Sequence, residues 1–408
     1  MQDSQKPTVS LRRSLSLPLL TFYGIGTILG AGIYVLIGEV AAESGMHSPI
    51  AFLVAAIVAG FTAFSYAELS SRIPRSAGEA AYVSAGLKSQ VLAGIAGWGV
   101  VATGIVSAAT IANGFVGYLD EFFPAQRELT ICIAVLILGV IAAWGVRTSV
   151  AAASVITVIE IGGLVFVIAL AGHNFAALPD RLPEMVPDVS LVHATGIVAG
   201  AYLAFFAFIG FEDIVNMAEE TVEPRKTVPR AIIISLFVST TLYILVAVVA
   251  TLALPLDELA GAKAPLARIV EERGPKARAT ISLVSLVAVI NGALIQIIMA
   301  SRVLYGMAKQ GLAPQFFSRV HRLRRTPIRA TAFTTGVAWI FALGLPLVTL
   351  AILTSTVTLT VFALVNLALL RLKIREGEDC ESKVSYPIWV PATGCILCVG
   401  LLILQWVL

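Results

Sequence analysis

Apolar residues run along this chain in long blocks rather than alternating or recurring every three to four positions. Eleven blocks stand out, at 17–38, 50–67, 91–119, 129–146, 148–172, 194–217, 231–254, 279–301, 330–347, 349–370 and 387–408. The hydrocarbon core of a bilayer is about 30 Å thick and takes about 20 helical residues to cross. Each block therefore predicts a membrane-spanning helix, with boundaries known to within a few residues. The first block, LPLLTFYGIGTILGAGIYVLIG, carries no charge but has glycine at positions 24, 26, 30, 32 and 38. Glycine weakens a helix. Open backbone at membrane depth is tolerated only where it is buried in protein or lines a cavity. This span is expected to break in its middle and to bind something there.

The connections show a second pattern. Blocks 4 and 5 are joined almost directly, at Gly145 to Thr148, and blocks 9 and 10 equally tightly, at Pro346 to Thr349. Loops 68–90 and 255–278 are both long; loops 39–49 and 218–230 are both moderate. Five spans followed by five more fit this, although loops 3–4 and 8–9 differ in length. Five is odd, so the second unit crosses the membrane in the opposite sense, the inverted repeat of secondary transporters. The expected organisation is a cytoplasmic tail at 1–16, a first repeat at 17–172, a second at 194–370 and one more span at 387–408. The first span of the second repeat, ATGIVAGAYLAFFAFIGFEDIVNM, should then also be interrupted. It holds Gly196, Gly200 and Gly210, with Glu212 and Asp213 directly after FIGF. In the long loop 255–278, the stretch from Pro265 to Gly274 predicts a short surface helix ended by Gly-Pro.

Composition narrows the class. The chain is 58% hydrophobic and 13% charged, with mean hydropathy +0.91, against about 25% charged in soluble domains. A soluble globule is excluded, and a net charge of +3 gives no sign of nucleic-acid binding. Lysine and arginine set the orientation. With the N-terminus cytoplasmic, 21 fall in the tail and inside loops and 7 outside. Five of those seven lie in 255–278, balanced by Asp257, Glu258, Glu271 and Glu272. Eleven spans then put the C-terminus outside. The first block is too long for a signal-peptide core and is read as a retained span of a protein in the plasma (cell inner) membrane. Cys395 and Cys398 form a CxxC, but inside an apolar run that suits packing rather than redox or zinc chemistry. No nucleophile–base pair, metal cluster, cofactor motif or phosphate-binding loop is visible, so the chain is not expected to be an enzyme or an ATP-driven pump.

Four segments point to a family. GIGTILGAGIYVLIG in span 1, SYAELSSRIPRSAGEAAYV after span 2, FFAFIGFEDIVNMAEETVEPRKTVPRAI at span 6 and SRVLYGMAKQGLAPQFFSRVH leaving span 8 resemble the amino acid–polyamine–organocation (APC) transporter superfamily, nearest its cationic amino acid transporter branch. The resemblance covers nearly the whole chain. It implies an all-α membrane protein with a LeuT-type fold: spans 1–5 and 6–10 as inverted repeats, plus one extra C-terminal helix. It also implies an amino acid held between broken spans 1 and 6. Family members usually have twelve spans; the one missing here lies outside the ten-span core and bears on homo-oligomer contacts. The implied partners are an amino acid substrate, a proton or sodium ion and the lipid bilayer.

Candidate site residues follow. A break at Gly30, Ala31 and Gly32 frees N–H groups at the start of a half-helix, whose partial positive charge suits a carboxylate; Thr27 stands beside it. A bare GxxxG packing seam is the competing reading. A break near Ile209 and Gly210 frees carbonyls that suit an ammonium group, with Phe205 and Phe208 walling the substrate and Phe208 as the gate. Glu212 and Asp213 either attract a cationic side chain or border water in the cytoplasmic vestibule. Glu160 sits near the middle of span 5 with no charge beside it in sequence, and intramembrane acids are functional by default. In one proton-coupled branch of the family a span-5 lysine takes the place of a coupling cation, and Glu160 falls near that position with the opposite sign. It is either a coupling group, working with Ser282, Ser285 or Asn291 of span 8, or a static tie to another helix. Finally, Glu68, Arg72, Arg75 and Glu79 follow span 2, and Glu219, Glu220, Arg225 and Lys226 follow span 6. These either pair as a cytoplasmic gate or form solvated faces, and exposed pairs of this kind are worth about 0–1 kcal/mol. An amino acid sensor on the same scaffold is the alternative to a transporter.

Overall fold

The computed structural model describes residues 13–30, 32–74, 78–124, 126–144, 150–187, 191–321, 324, 326–376 and 384–407. The helices, in chain order, are α1 (Leu17–Leu29), α2 (Gly32–Ser44), α3 (Ser48–Arg72), α4 (Gly78–Leu87), α5 (Gln90–Asp120), α6 (Arg127–Trp144), α7 (Val150–Ala171), α8 (Leu178–Met185) and α9 (Leu191–Phe206). A 3-10 segment, Phe211–Glu220, follows. Then come α10 (Pro224–Ala253), α11 (Leu256–Ala260), α12 (Pro265–Ile269), α13 (Pro275–Lys309), α14 (Ile328–Gly344), α15 (Leu347–Glu376) and α16 (Trp389–Val407). Each predicted apolar block is mainly helical over its described residues. Nine helical stretches among them are long and apolar enough to cross a membrane. The first of these, Leu17–Arg72, runs through two predicted blocks, and Ile328–Gly344 is a shorter apolar helix of 17 residues.

Local signals start these helices where the sequence dictates. Proline lies in the first turn of α1, α3, α10 and α13, where its missing N–H costs nothing and its fixed φ is already helical. Ser89 caps α5, its hydroxyl accepting from Leu92 N at 3.3 Å, which satisfies one of the orphan amides of the first turn.

Both predicted interruptions are present. Helix geometry stops at Leu29 and resumes at Gly32; Gly30 is a turn and Ala31 lies outside the described residues. The second stops at Phe206, passes through a turn at 207–210 and resumes as the 3-10 segment. α1 packs on α7 and α10, α2 packs on α9, and α13 lies along α5, which places the two breaks side by side in the interior.

Two ties hold the ends of helices. Ser14 N and Leu15 N donate to Glu220 O at 2.8 and 3.0 Å, and Val222 N donates to Leu15 O at 3.0 Å. The chain entering α1 is thus strapped to the chain leaving the 3-10 segment. Elsewhere Glu68, fully buried, accepts from Arg72 Nη2 at 2.6 Å and pairs with Lys373 Nζ at 2.8 Å, while its second oxygen accepts from Tyr386 N at 2.9 Å. Burial demands such full partnering of a charge. Glu68 and Arg72 therefore turn toward α15 and the lead-in to α16, which is neither a pairing with the loop after span 6 nor a solvated face. Arg75 and the Gly145–Thr148 joint lie outside the described residues.

The loop 255–278 differs from expectation. The predicted helix after Pro265 forms, as α12, but Leu266, Ala267 and Ile269 are buried. Its apolar residues, with Leu259 of α11, lie against α2 and α13, so the loop folds inward over α2 instead of lying on the surface. Its charges link up: Glu258 with Arg268, Arg268 with Glu271, Glu271 with Arg278, and Arg278 with Glu121, the residue that follows α5.

Candidate functional site

The two breaks meet face to face. Thr27 Oγ1 lies 2.9 Å from Gly210 O and 2.8 Å from Gly24 O. Gly32 packs so closely on Ala207 that a Cβ there would overlap the Ala207 backbone. Gly210 has φ +126°, a conformation open to glycine and strained for other residues. A cavity of about 20 Å³ remains between the breaks, room for about one water molecule. Thr27, Gly30, Gly32 and Ile209 line it, together with Phe206, Ser107 and Gln296.

The peptide dipoles at this point have opposite signs. Gly30 N still donates to Gly26 O at 3.1 Å, so its own amide is spent. The free amides belong to the first turn of α2, as at any helix start, and carry its positive end. Opposite them, α1 and α9 end here and present carbonyls. Tyr243 of α10, fully buried, has its hydroxyl 2.8 Å from Ile28 O and 2.9 Å from Ala207 O. One hydroxyl has one hydrogen, so it serves one of these carbonyls at a time. Sequence reading missed Tyr243. The signal was there in TTLYILV, a lone hydroxyl-bearing aromatic in mid-span, but nothing in the sequence said which way it faced.

The phenylalanines divide. Phe206 lines the cavity. Phe205 packs edge-on against Phe362, with ring centroids 5.8 Å apart, and Phe208 packs edge-on against Tyr243 at 5.2 Å. Both are fully buried away from the cavity lining. Glu212 uses its own carboxylate: Oε2 accepts from Gly210 N at 2.8 Å, bracing the break. Asp213 is buried beside it, and its backbone N–H donates to Gly210 O at 3.2 Å.

Behind α1 lies the second cluster. Glu160 is fully buried; its Oε1 accepts from Asn291 Nδ2 at 3.0 Å, and its backbone carbonyl accepts from Tyr34 at 2.6 Å. Oε2 has no hydrogen-bond partner and sits beside Gly26 of α1. Of the three predicted span-8 residues, Asn291 alone reaches Glu160. Ser282 donates to Arg278 O in its own helix, and Ser285 is buried nearly two helical turns from Asn291.

On the side where α1 enters and the 3-10 segment leaves, a larger cavity of about 560 Å³ opens. Glu79, Asn216, Glu220, Arg302 and Tyr305 are among its lining. Glu79, on the loop helix α4 between spans, is buried and accepts from Tyr66 at 3.2 Å. Burial pushes its carboxyl up to about 7. Tyr66 and Tyr82 face it from α3 and its own helix, with Glu212 and Asp213 from the 3-10 segment. A carboxyl with a raised folded-state pKa adds stability below its unfolded value of 4.5, and this is lost as pH climbs through about 7. The melting temperature of purified protein is expected to fall between pH 5 and pH 7.5, and Glu79→Gln is expected to flatten that slope. Equal slopes in the two proteins would remove Glu79 as its source.

A multi-pass helical bundle with two facing helix interruptions at its centre has the build of a membrane carrier. The sequence profile described as Amino acid permease matches residues 15–408. The chain is 28% identical to the branched-chain amino acid permease BcaP of Bacillus subtilis (strain 168), covering 98% of this chain and 89% of that protein. It is 33% identical to cationic amino acid transporter 3, mitochondrial, of Arabidopsis thaliana, covering 88% of this chain and 62% of that one. It is 31% identical to human cationic amino acid transporter 4, over 94% of this chain and 63% of the relative. The chain thus spans most of the bacterial relative and less than two thirds of the plant and human ones. It belongs to the amino acid permease family of the APC superfamily, whose members named here are permeases and transporters, not enzymes.

Proposed function

We propose that the protein is a secondary active transporter that moves an amino acid across the membrane by alternating access. The observation that carries this is the meeting of the two breaks: Ile28, Gly30, Gly32 and Ile209 line one small interior space, and beside it Tyr243 joins the carbonyls of Ile28 and Ala207. That arrangement suits a zwitterion, carboxylate to the amides and ammonium to the carbonyls. The named relatives support an amino acid as cargo. The reading extends to a LeuT-type fold of eleven spans, with repeats at 17–172 and 194–370, a cytoplasmic N-terminus and an outside C-terminus in the plasma membrane. The larger cavity, on the cytoplasmic side of this topology, is the exit path. Glu220 lines that path, and Glu212 and Asp213 are buried on the same 3-10 segment.

Glu160 is the coupling group in this reading. A buried carboxylate oxygen without a donor calls for an explanation, and Glu160 Oε2 is such an atom, set against the interrupted span. A proton or a sodium ion there would satisfy it, with Asn291 holding the other oxygen in place.

Counterflow in reconstituted vesicles tests the proposal. Vesicles loaded with unlabelled amino acid are expected to take up the labelled amino acid transiently above equilibrium. Ligand binding without counterflow would instead make the protein a sensor, a reading that none of the relatives named above supports.

A further inference from the structure

We infer that the amino acid carried has a short, uncharged side chain, with serine and alanine accepted and leucine and arginine rejected. This rests on the central cavity being the substrate site. The wall opposite the breaks comes from α5 and α13. From α5, Ser107 and Ile111 face the cavity; from α13, Ile295 and Gln296 do so; Phe206 and Ile209 close the remaining sides.

Three features of that wall set the side chain. First, no charged side chain lines it among the described residues. The nearest buried acids are engaged elsewhere: Glu160 with the Asn291 amide and Glu212 with the Gly210 N–H. A guanidinium or a side-chain ammonium placed here would be desolvated with no counter-charge, which is prohibitively unfavourable. Second, the wall is made of bulky aliphatic groups on closely packed backbones. α1 and α13 touch glycine on glycine, where a Cβ on Gly30 would lie 3.1 Å from Gly292 Cα. Ile111 is 4% exposed and held within the core. The space as it stands holds about one water, so any amino acid requires these elements to part, and a branched four-carbon side chain requires the largest movement. Third, the wall holds an unmet polar group. Ser107 Oγ is buried without a hydrogen-bond partner. Gln296 sits one turn beyond Gly292 on the face that lines the same space. A buried hydroxyl left unpaired is costly, and a substrate hydroxyl beside it removes that cost. Ser107 and Gln296 are accordingly specificity residues, and serine is favoured over alanine.

The test is exchange in vesicles carrying the full-length protein, with labelled alanine, serine, leucine and arginine compared in the same preparation. Serine and alanine are expected to exchange at least about tenfold faster than leucine or arginine, the order of discrimination a pocket achieves over a few methylenes. Ser107→Ala is expected to reverse the serine-to-alanine preference. Ile111→Ala is expected to raise the leucine-to-alanine ratio about fivefold or more, with Ile111→Val shifting it in the same direction by less. Because each readout is a ratio within one protein, poor folding of a variant does not mimic it. Leucine or arginine exchanging faster than alanine in the wild type would overturn the inference and leave transport standing. Exchange of no amino acid at all would overturn the transport reading beneath it.

Discussion

Gly210→Ala is expected to lower counterflow about a hundredfold, equivalent to roughly 2.7 kcal/mol on the transport barrier. Two effects combine at this residue. Its φ of +126° is one that an L-residue adopts only under strain. The added Cβ would also lie 2.5 Å from Thr27 O and 2.7 Å from Thr27 C. Both are backbone atoms and cannot rotate away, so the two breaks must separate. Separation undoes the contact from Thr27 Oγ1 to Gly210 O and shifts Ala207 O relative to Tyr243. The bulk of the bundle does not depend on that contact, so the variant is expected to purify as a monodisperse helical protein with unchanged circular dichroism. Near-normal counterflow in such a preparation would show that the geometry of the second break is irrelevant to transport.

Glu160→Gln is expected to leave exchange within about threefold of normal and to abolish uphill uptake. One proton moving through 100 mV supplies about 2.3 kcal/mol, enough for roughly fortyfold accumulation. A glutamine keeps the size of the side chain and can still accept from Asn291. It also places N–H donors where the unpartnered oxygen was, so the group resembles a permanently protonated acid and cannot cycle. Downhill and exchange fluxes survive, but the link to the gradient does not. The measurement is accumulation in vesicles under an imposed pH gradient, then under a sodium gradient. The gradient that drives the wild type identifies the ion. Accumulation by the variant equal to that of the wild type would leave Glu160 as a structural tie between α7 and α13.

Much of this arrangement was legible in the chain. Uniform apolar blocks report spanning helices directly, because bilayer thickness dictates their length, and glycine clustering marked both breaks to within a few residues. Glu160 was conspicuous because a lone acid in an apolar run has few explanations, and the packing of α7 on α13 supplied the partner that sequence left open among three. What the sequence could not give was direction. Four phenylalanines within seven positions look alike on paper, yet Phe206 faces the cavity while Phe205 and Phe208 pack on Phe362 and Tyr243. The same holds for Glu68, whose partners Lys373 and Tyr386 N lie some three hundred positions away. Glu212 was expected to attract a cationic side chain or to border vestibule water, and the turn at 207–210 brings the Gly210 amide within reach of its own carboxylate. Tyr243 and Ser107 were passed over because a single hydroxyl in an apolar helix has no periodicity to betray its facing.

The decisive observation is the density of a bound amino acid in an electron cryo-microscopy map of the protein in lipid nanodiscs. The ammonium should lie against Ile28 O and Ala207 O, displacing the Tyr243 hydroxyl, and the carboxylate against the amides that open α2. Substrate density confined to the larger cavity beside Glu79 and Arg302, with the Tyr243 hydroxyl still seated between the two carbonyls, would place recognition somewhere other than the paired breaks.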